Sequence, residues 1–134
     1  MKEIYDLTHF RITHNGDVSD FTIDILPSST PFDQSFAILT AWNPNNQPLI
    51  LEENTRRNEH LFETLLESGY LFDEALGYLD EHSEESYCIY GIGFKEAIDL
   101  AKQYDQYAIF YRSSNSVGYY ECARGEVITQ RDLL

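Results

Sequence analysis

Three asparagines and one arginine are spaced so that they share a site. Leu51, Asn54, Asn58, Leu61 and Leu65 recur at alternating steps of three and four residues, which places them on one helical face. The lower half of that face is leucine, and the upper half is carboxamide with Arg57 alongside. A carboxamide carried inward without partners costs roughly 1–3 kcal/mol, so each must meet protein, water or a ligand. In the preceding strand Ala37, Leu39, Ala41 and Asn43 alternate with Phe36, Ile38, Thr40 and Trp42, so Asn43 emerges at the strand end near Asn54 and Asn58. The helix N-terminus adds unsatisfied N–H groups and a partial positive charge. Asn43, Asn54, Arg57, Asn58 and those N–H groups make a donor-rich set suited to a carboxylate, phosphate or amide, with Thr40 and Gln106 as further contributors.

The same residues also fit a purely architectural role. The asparagines would then fasten the connection from Asn43 to Pro48 by side-chain to backbone bonds, and Arg57 would pair with an acid such as Glu53. Gln106 has two readings as well: it faces the interior beside Ala108 and Phe110, or it caps the last turn of the second helix.

The elements that must carry these residues follow from periodicity. Tyr5 to Ile12 reads as a strand, Asn15-Gly16 as a hairpin turn, and Phe21 to Ile25 as an alternating half-buried strand. Pro27 to Pro31 is a breaker cluster and the only plausible linker. Phe36 to Trp42 is a strand stopped by Asn43-Pro44-Asn45-Asn46-Gln47-Pro48. A helix from Glu52 to Ser68, with Gly69 after it, is followed by strands at Tyr70–Leu79 and Ser86–Ile92. A second amphipathic helix, Phe94–Tyr104, leads to strands at Gln106–Arg112 and Val117–Ala123.

The order from Phe36 is β-α-β-β-α-β-β. It predicts an α+β fold: a two-layer sandwich with a ferredoxin-like core and an N-terminal β-hairpin that extends or covers the sheet. A single domain over residues 1–134 is expected, with the hairpin region 1–30 on a core at 36–124. The tail, 125–134, has few anchors and is expected to be partly mobile.

Charge narrows the partners. Nine Lys and Arg against 23 Asp and Glu give a net charge of -14, which repels phosphate backbones and argues against direct nucleic-acid binding. The densest acidic patch comprises Asp73, Glu74, Asp80, Glu81, Glu84 and Glu85. No window approaches the roughly 18 apolar residues of a membrane span, and the first residues lack the apolar region of a secretory signal, so a cytoplasmic protein is expected.

Most site chemistries fail on spacing. His9, His14, His60 and His82 make no H-x-x-x-H or H-x-H pair, and no cysteine pair stands near them, so no metal site is expected. Cys88 and Cys122 fall within expected strands, where a free cysteine behaves as a small inert hydrophobe. Gly91-Ile92-Gly93 lacks the third glycine and the lysine of a phosphate loop. No cofactor is implied, and nothing selects two of the many carboxylates as acid and base.

Phe36-Ala37-Ile38-Leu39-Thr40-Ala41-Trp42-Asn43-Pro44, followed by Glu53-Asn54 and Arg57-Asn58, resembles a bacterial family known as a domain of unknown function. There a "TAxNP" strand leads into a helix opening with "ENxxR". The resemblance runs through Leu61, Leu65, Gly69 and Ser86 to Gly91, and ends at Glu96-Ala97 and Gln106 to Ile109. It departs at Tyr107, where the family usually has Asn, and at Glu84-Glu85-Ser86, where a proline-rich segment is common. It implies no reaction, cofactor or substrate.

Two functions are therefore expected. The first is binding of a small polar or anionic ligand at the strand-end and helix-N-terminus site. The alternative is an acidic interaction module that binds a basic protein partner without catalysis, its association sensitive to salt. Exposed sheet edges also allow a homodimer.

Overall fold

Asn15 and Gly16 adopt φ angles of 50° and 86°, the pair of positive values that a two-residue hairpin turn of type I′ requires. In the computed structural model, which describes residues 2–133, they close β1 (His9–His14) onto β2 (Asp17–Phe21). The other edge of β1 pairs antiparallel with β4 (Leu71–Leu79), setting Phe10 opposite Gly77. A Cβ at Gly77 would stand 3.2 Å from the Phe10 ring, so glycine makes room for that ring against the neighbouring strand.

The hairpin is thus part of the main sheet rather than a cover on it. Eight strands run in the order β2-β1-β4-β5-β3-β6-β7-β8, with every neighbouring pair antiparallel. The remaining strands are β3 (Phe36–Leu39), β5 (His82–Tyr90), β6 (Ala108–Arg112), β7 (Ser116–Glu121) and β8 (Val127–Asp132). The run from Phe36 has the expected sequence of elements: β3, then α2 (Leu51–Ser68), β4, β5, α3 (Phe94–Gln103), β6 and β7.

The architecture differs from the expected two-layer ferredoxin-like sandwich. One continuous sheet curls into a half-barrel. Phe10 of β1 lies 5.0 Å, between ring centroids, from Phe110 of β6, although β4, β5 and β3 separate them in the sheet. Near the two free edges, Arg131 of β8 donates to Asp24, just beyond β2, at 2.8 Å. Strand alternation then decides which core each residue joins. Phe36, Ile38, Phe110 and Tyr119 fill the inside of the curl, whereas Ala37, Leu39, Ile89 and Ile109 meet α2 and α3 on its outer side. Leu61 and Leu65 of α2 are fully buried there, each worth about 1.5–3 kcal/mol.

Two local expectations are revised. Tyr5 lies not in a strand but in α1 (Lys2–Leu7), where its ring tilts over Tyr119 at 4.8 Å. The segment after Phe21 turns instead of continuing as a strand, with an isolated bridge from Thr22 to Ile25. Within the tail, residues 127–132 form β8, paired antiparallel with β7.

Candidate functional site

The asparagine face of α2 is buried, as its spacing requires. Asn54 is 2% and Asn58 4% exposed. Asn58 Oδ1 accepts the Ala41 N–H at 2.8 Å, and its Nδ2 donates to the Glu85 carbonyl at 2.8 Å. Asn54 Oδ1 accepts the Asn43 N–H at 2.9 Å, and its Nδ2 donates to Asn43 Oδ1 at 2.8 Å and to the Leu49 carbonyl at 3.3 Å. Asn43 Oδ1 accepts the Leu49 N–H at 3.0 Å, and its Nδ2 donates to Glu84 Oε1 at 2.9 Å. These bonds span the connection that contains a 3-10 turn, Pro44–Asn46, and they hold it to the helix.

Arg57 bonds main chain rather than Glu53. Its Nε donates to the Ala41 carbonyl at 2.5 Å and its Nη2 to the carbonyl of Tyr104, the C-cap of α3. Gln106 is half-buried and reaches the main chain at the end of α3 and beyond β3. Its Nε2 donates to the Trp42 carbonyl at 2.9 Å and to the Tyr104 carbonyl at 3.1 Å. Thr40 Oγ1 donates to the Glu85 carbonyl at 2.6 Å and accepts the Trp42 N–H at 3.0 Å. All six predicted residues therefore meet in one network. It ties the end of β3 to α2, to the start of β5 and to the end of α3.

A cavity of about 560 Å³ opens beside this network, at the end of the half-barrel where β3 ends and β6 begins. Thr40 and Gln106 line it, whereas Asn43, Asn54, Arg57 and Asn58 stand behind its wall. Its apolar lining comes from Phe10, Ile38, Ala108 and Phe110, on the inner face of the sheet. A polar margin comes from Asp80 and Glu81 in the turn between β4 and β5 and from Glu84 and Ser86 on β5 itself. Tyr5 and Thr8, from α1 and just after it, close another side.

Tyr119 also lines this cavity and is 4% exposed. Its hydroxyl is buried and has no hydrogen-bond partner among the described residues, in contrast to most buried polar groups. Burial, followed by the nearby Tyr5 and Asp6, pushes its ionisation well above the ordinary tyrosine range, so the group is a neutral O–H at physiological pH. Burial likewise raises Tyr5, with smaller contributions from Tyr107, Cys122 and Glu84.

Sequence reasoning missed Tyr5, Tyr119 and the β4–β5 turn as parts of one site. Strand parity gave a usable signal for Tyr119, since it shares one face of β7 with Val117 while Tyr120 takes the other. Nothing local could indicate that β1 and β6 face each other across the curl. Among the described residues no group of three or more His, Cys, Asp and Glu is arranged to hold a metal ion. No helix among them is long and apolar enough to cross a membrane.

A family model described as "Protein of unknown function (DUF3293)" matches residues 39–109, just over half of the chain, and the protein belongs to that family. The matched span contains the whole asparagine–arginine network and the acidic β4–β5 turn, whereas Tyr5 and Tyr119 lie outside it. No curated protein and no solved structure matches the chain.

Proposed function

We propose that this protein binds a small molecule in the cavity at the end of the half-barrel. The observation that carries the reading is the cavity itself, whose lining includes the buried apolar side chains Phe10, Ile38 and Phe110 and the ring of Tyr119. Its volume lies within the roughly 300–1,000 Å³ typical of small-molecule sites.

In this reading Thr40 and Gln106 belong to the lining. Asn43, Asn54, Arg57 and Asn58 are positioning residues, because they hold Glu84, the Glu85 carbonyl and the end of β3. Rigid support of this kind is what a lining needs in order to present polar groups at fixed places. The alternative, an acidic surface for a basic protein, draws on the charge of -14. Asp80, Glu81 and Glu84 of that patch line the cavity, which favours the small-molecule reading over it.

A thermal-shift screen of a small-molecule library tests the proposal, with wild type compared against Ala108→Trp. The indole would fill the cavity from the inner face of β6. Compounds that raise the melting temperature of the wild type and leave the variant unmoved are the expected result. Equal shifts in both proteins, or none in either, would overturn the reading.

A further inference from the structure

We infer that the cavity takes an organic cation, an ammonium group carried on an apolar, preferably aromatic body. The inference rests on the small-molecule reading above and adds the charge class of the ligand.

Two features of the lining point to this class. The first is its charge. Asp80, Glu81 and Glu84 are present, and no Lys or Arg is among the described residues that line the cavity. Glu84 is the best placed of the three. Asn43 Nδ2 holds its Oε1 at 2.9 Å, and among the described residues no donor engages its Oε2. Among the described residues of the lining the one cationic candidate is His82, whose Nε2 lies 3.7 Å from that same Oε1. A carboxylate or phosphate ligand would therefore meet three like charges and no fixed positive one. The protein's net charge of -14 acts in the same direction at longer range, concentrating cations and repelling anions. The small anion that the helix N-terminus suggested is the class this lining disfavours.

The second feature is aromatic. Tyr5, Phe10, Phe110 and Tyr119 form one continuous group along the cavity, with centroid separations of 4.8 Å for Tyr5–Tyr119, 5.1 Å for Phe110–Tyr119 and 5.0 Å for Phe10–Phe110. Ring faces attract a cation electrostatically and accept an apolar body at the same time. A neutral amphiphile would use the aromatic walls and leave the acids unanswered.

Three probes of matched shape separate these possibilities: 3-phenylpropylamine, 3-phenylpropanol and 3-phenylpropionate, each titrated calorimetrically into the full chain at low ionic strength. The amine is expected to bind at least about tenfold more tightly than the alcohol, with the carboxylate weakest. Glu84→Gln should reduce the preference for the amine severalfold, and Ala108→Trp should abolish binding of the amine. If the alcohol binds as tightly as the amine and Ala108→Trp abolishes both, the cation assignment is overturned while the small-molecule reading stands. Amine binding that survives Ala108→Trp would mean nonspecific attraction to the acidic surface and also overturns the assignment. Failure of all three probes overturns it together with the reading it rests on.

Discussion

Asn54 and Asn43 hold each other twice: the Asn54 carboxamide accepts the Asn43 backbone N–H at 2.9 Å and donates to the Asn43 side-chain oxygen at 2.8 Å. Asn43 also occupies the left-handed region, at φ 45° and ψ 65°, a conformation that Asn tolerates better than most residues. The end of β3 therefore turns sharply into the 3-10 segment with its polar groups satisfied by the first turns of α2. Truncating Asn54 to alanine leaves the Asn43 N–H buried beside an apolar surface. Asn54→Ala should lower the unfolding free energy by about 2–3 kcal/mol, measured by urea denaturation, and a double-mutant cycle with Asn43→Gly should show coupling above about 0.5 kcal/mol.

Arg57 reaches two carbonyls in different parts of the chain, Ala41 two residues beyond β3 and Tyr104 at the C-cap of α3. A lysine ammonium is a point charge and cannot reproduce a planar fork with two separated donors. Arg57→Lys should therefore lose about 1–3 kcal/mol of stability, close to the loss in Arg57→Ala, when both are compared by chemical denaturation. Near-complete rescue by lysine would mean that charge, not geometry, is what the site requires.

These bonds show how far the sequence could be read. The three-four spacing of Asn54, Asn58, Leu61 and Leu65 identified the buried face of α2, and alternation placed Asn43 at the strand end beside it. That reasoning works because both periods are local properties of the backbone. The partners of each strand are not local. The pairing of β1 with β4 joins residues more than sixty positions apart, and the packing of Phe10 over Gly77 that accompanies it leaves no mark on either segment alone. The expected sandwich failed for this reason: the hairpin and β8 lengthen the sheet at its two ends, and the longer sheet curls on itself. Tyr5 misled in a different way. Its β-branched and aromatic neighbours suggested a strand, yet residues 2–7 form a short helix whose tyrosine packs on Tyr119.

Tyr119→Phe removes a hydroxyl that has no partner and keeps the ring contacts with Tyr5, Phe10 and Phe110. The ligand-free variant should be as stable as wild type or more stable, by up to about 1 kcal/mol, a rise of roughly 3–5 °C in melting temperature. A clear loss of stability would show that the hydroxyl is satisfied in solution.

Both thiols are buried, and burial raises both of their ionisations, that of Cys122 to about 11. The folded chain keeps these protons at a pH where the unfolded chain, with thiols near 8.5, gives them up. The contribution of Cys122 is complete below about pH 8.5 and is lost as pH rises through about 11, whereas that of Cys88, raised further by its deeper burial, goes on falling above that pH. Unfolding free energies measured from pH 7 to pH 11 should therefore fall on the alkaline side, with a shallower slope in Cys122→Ala. A disulfide-exchange reagent at pH 8 should label native protein far more slowly than unfolded protein.

The account stands most directly on an amide-resolved NMR titration of the full chain with the small-molecule fraction of a cell extract. The prediction is a saturable set of shifts at Thr8, Gly77, Ser86, Ala108 and Tyr119, all residues of the cavity wall, with Ala108→Trp abolishing them. Shifts confined to the outer face of α2 and α3, or an unchanged spectrum, would contradict it.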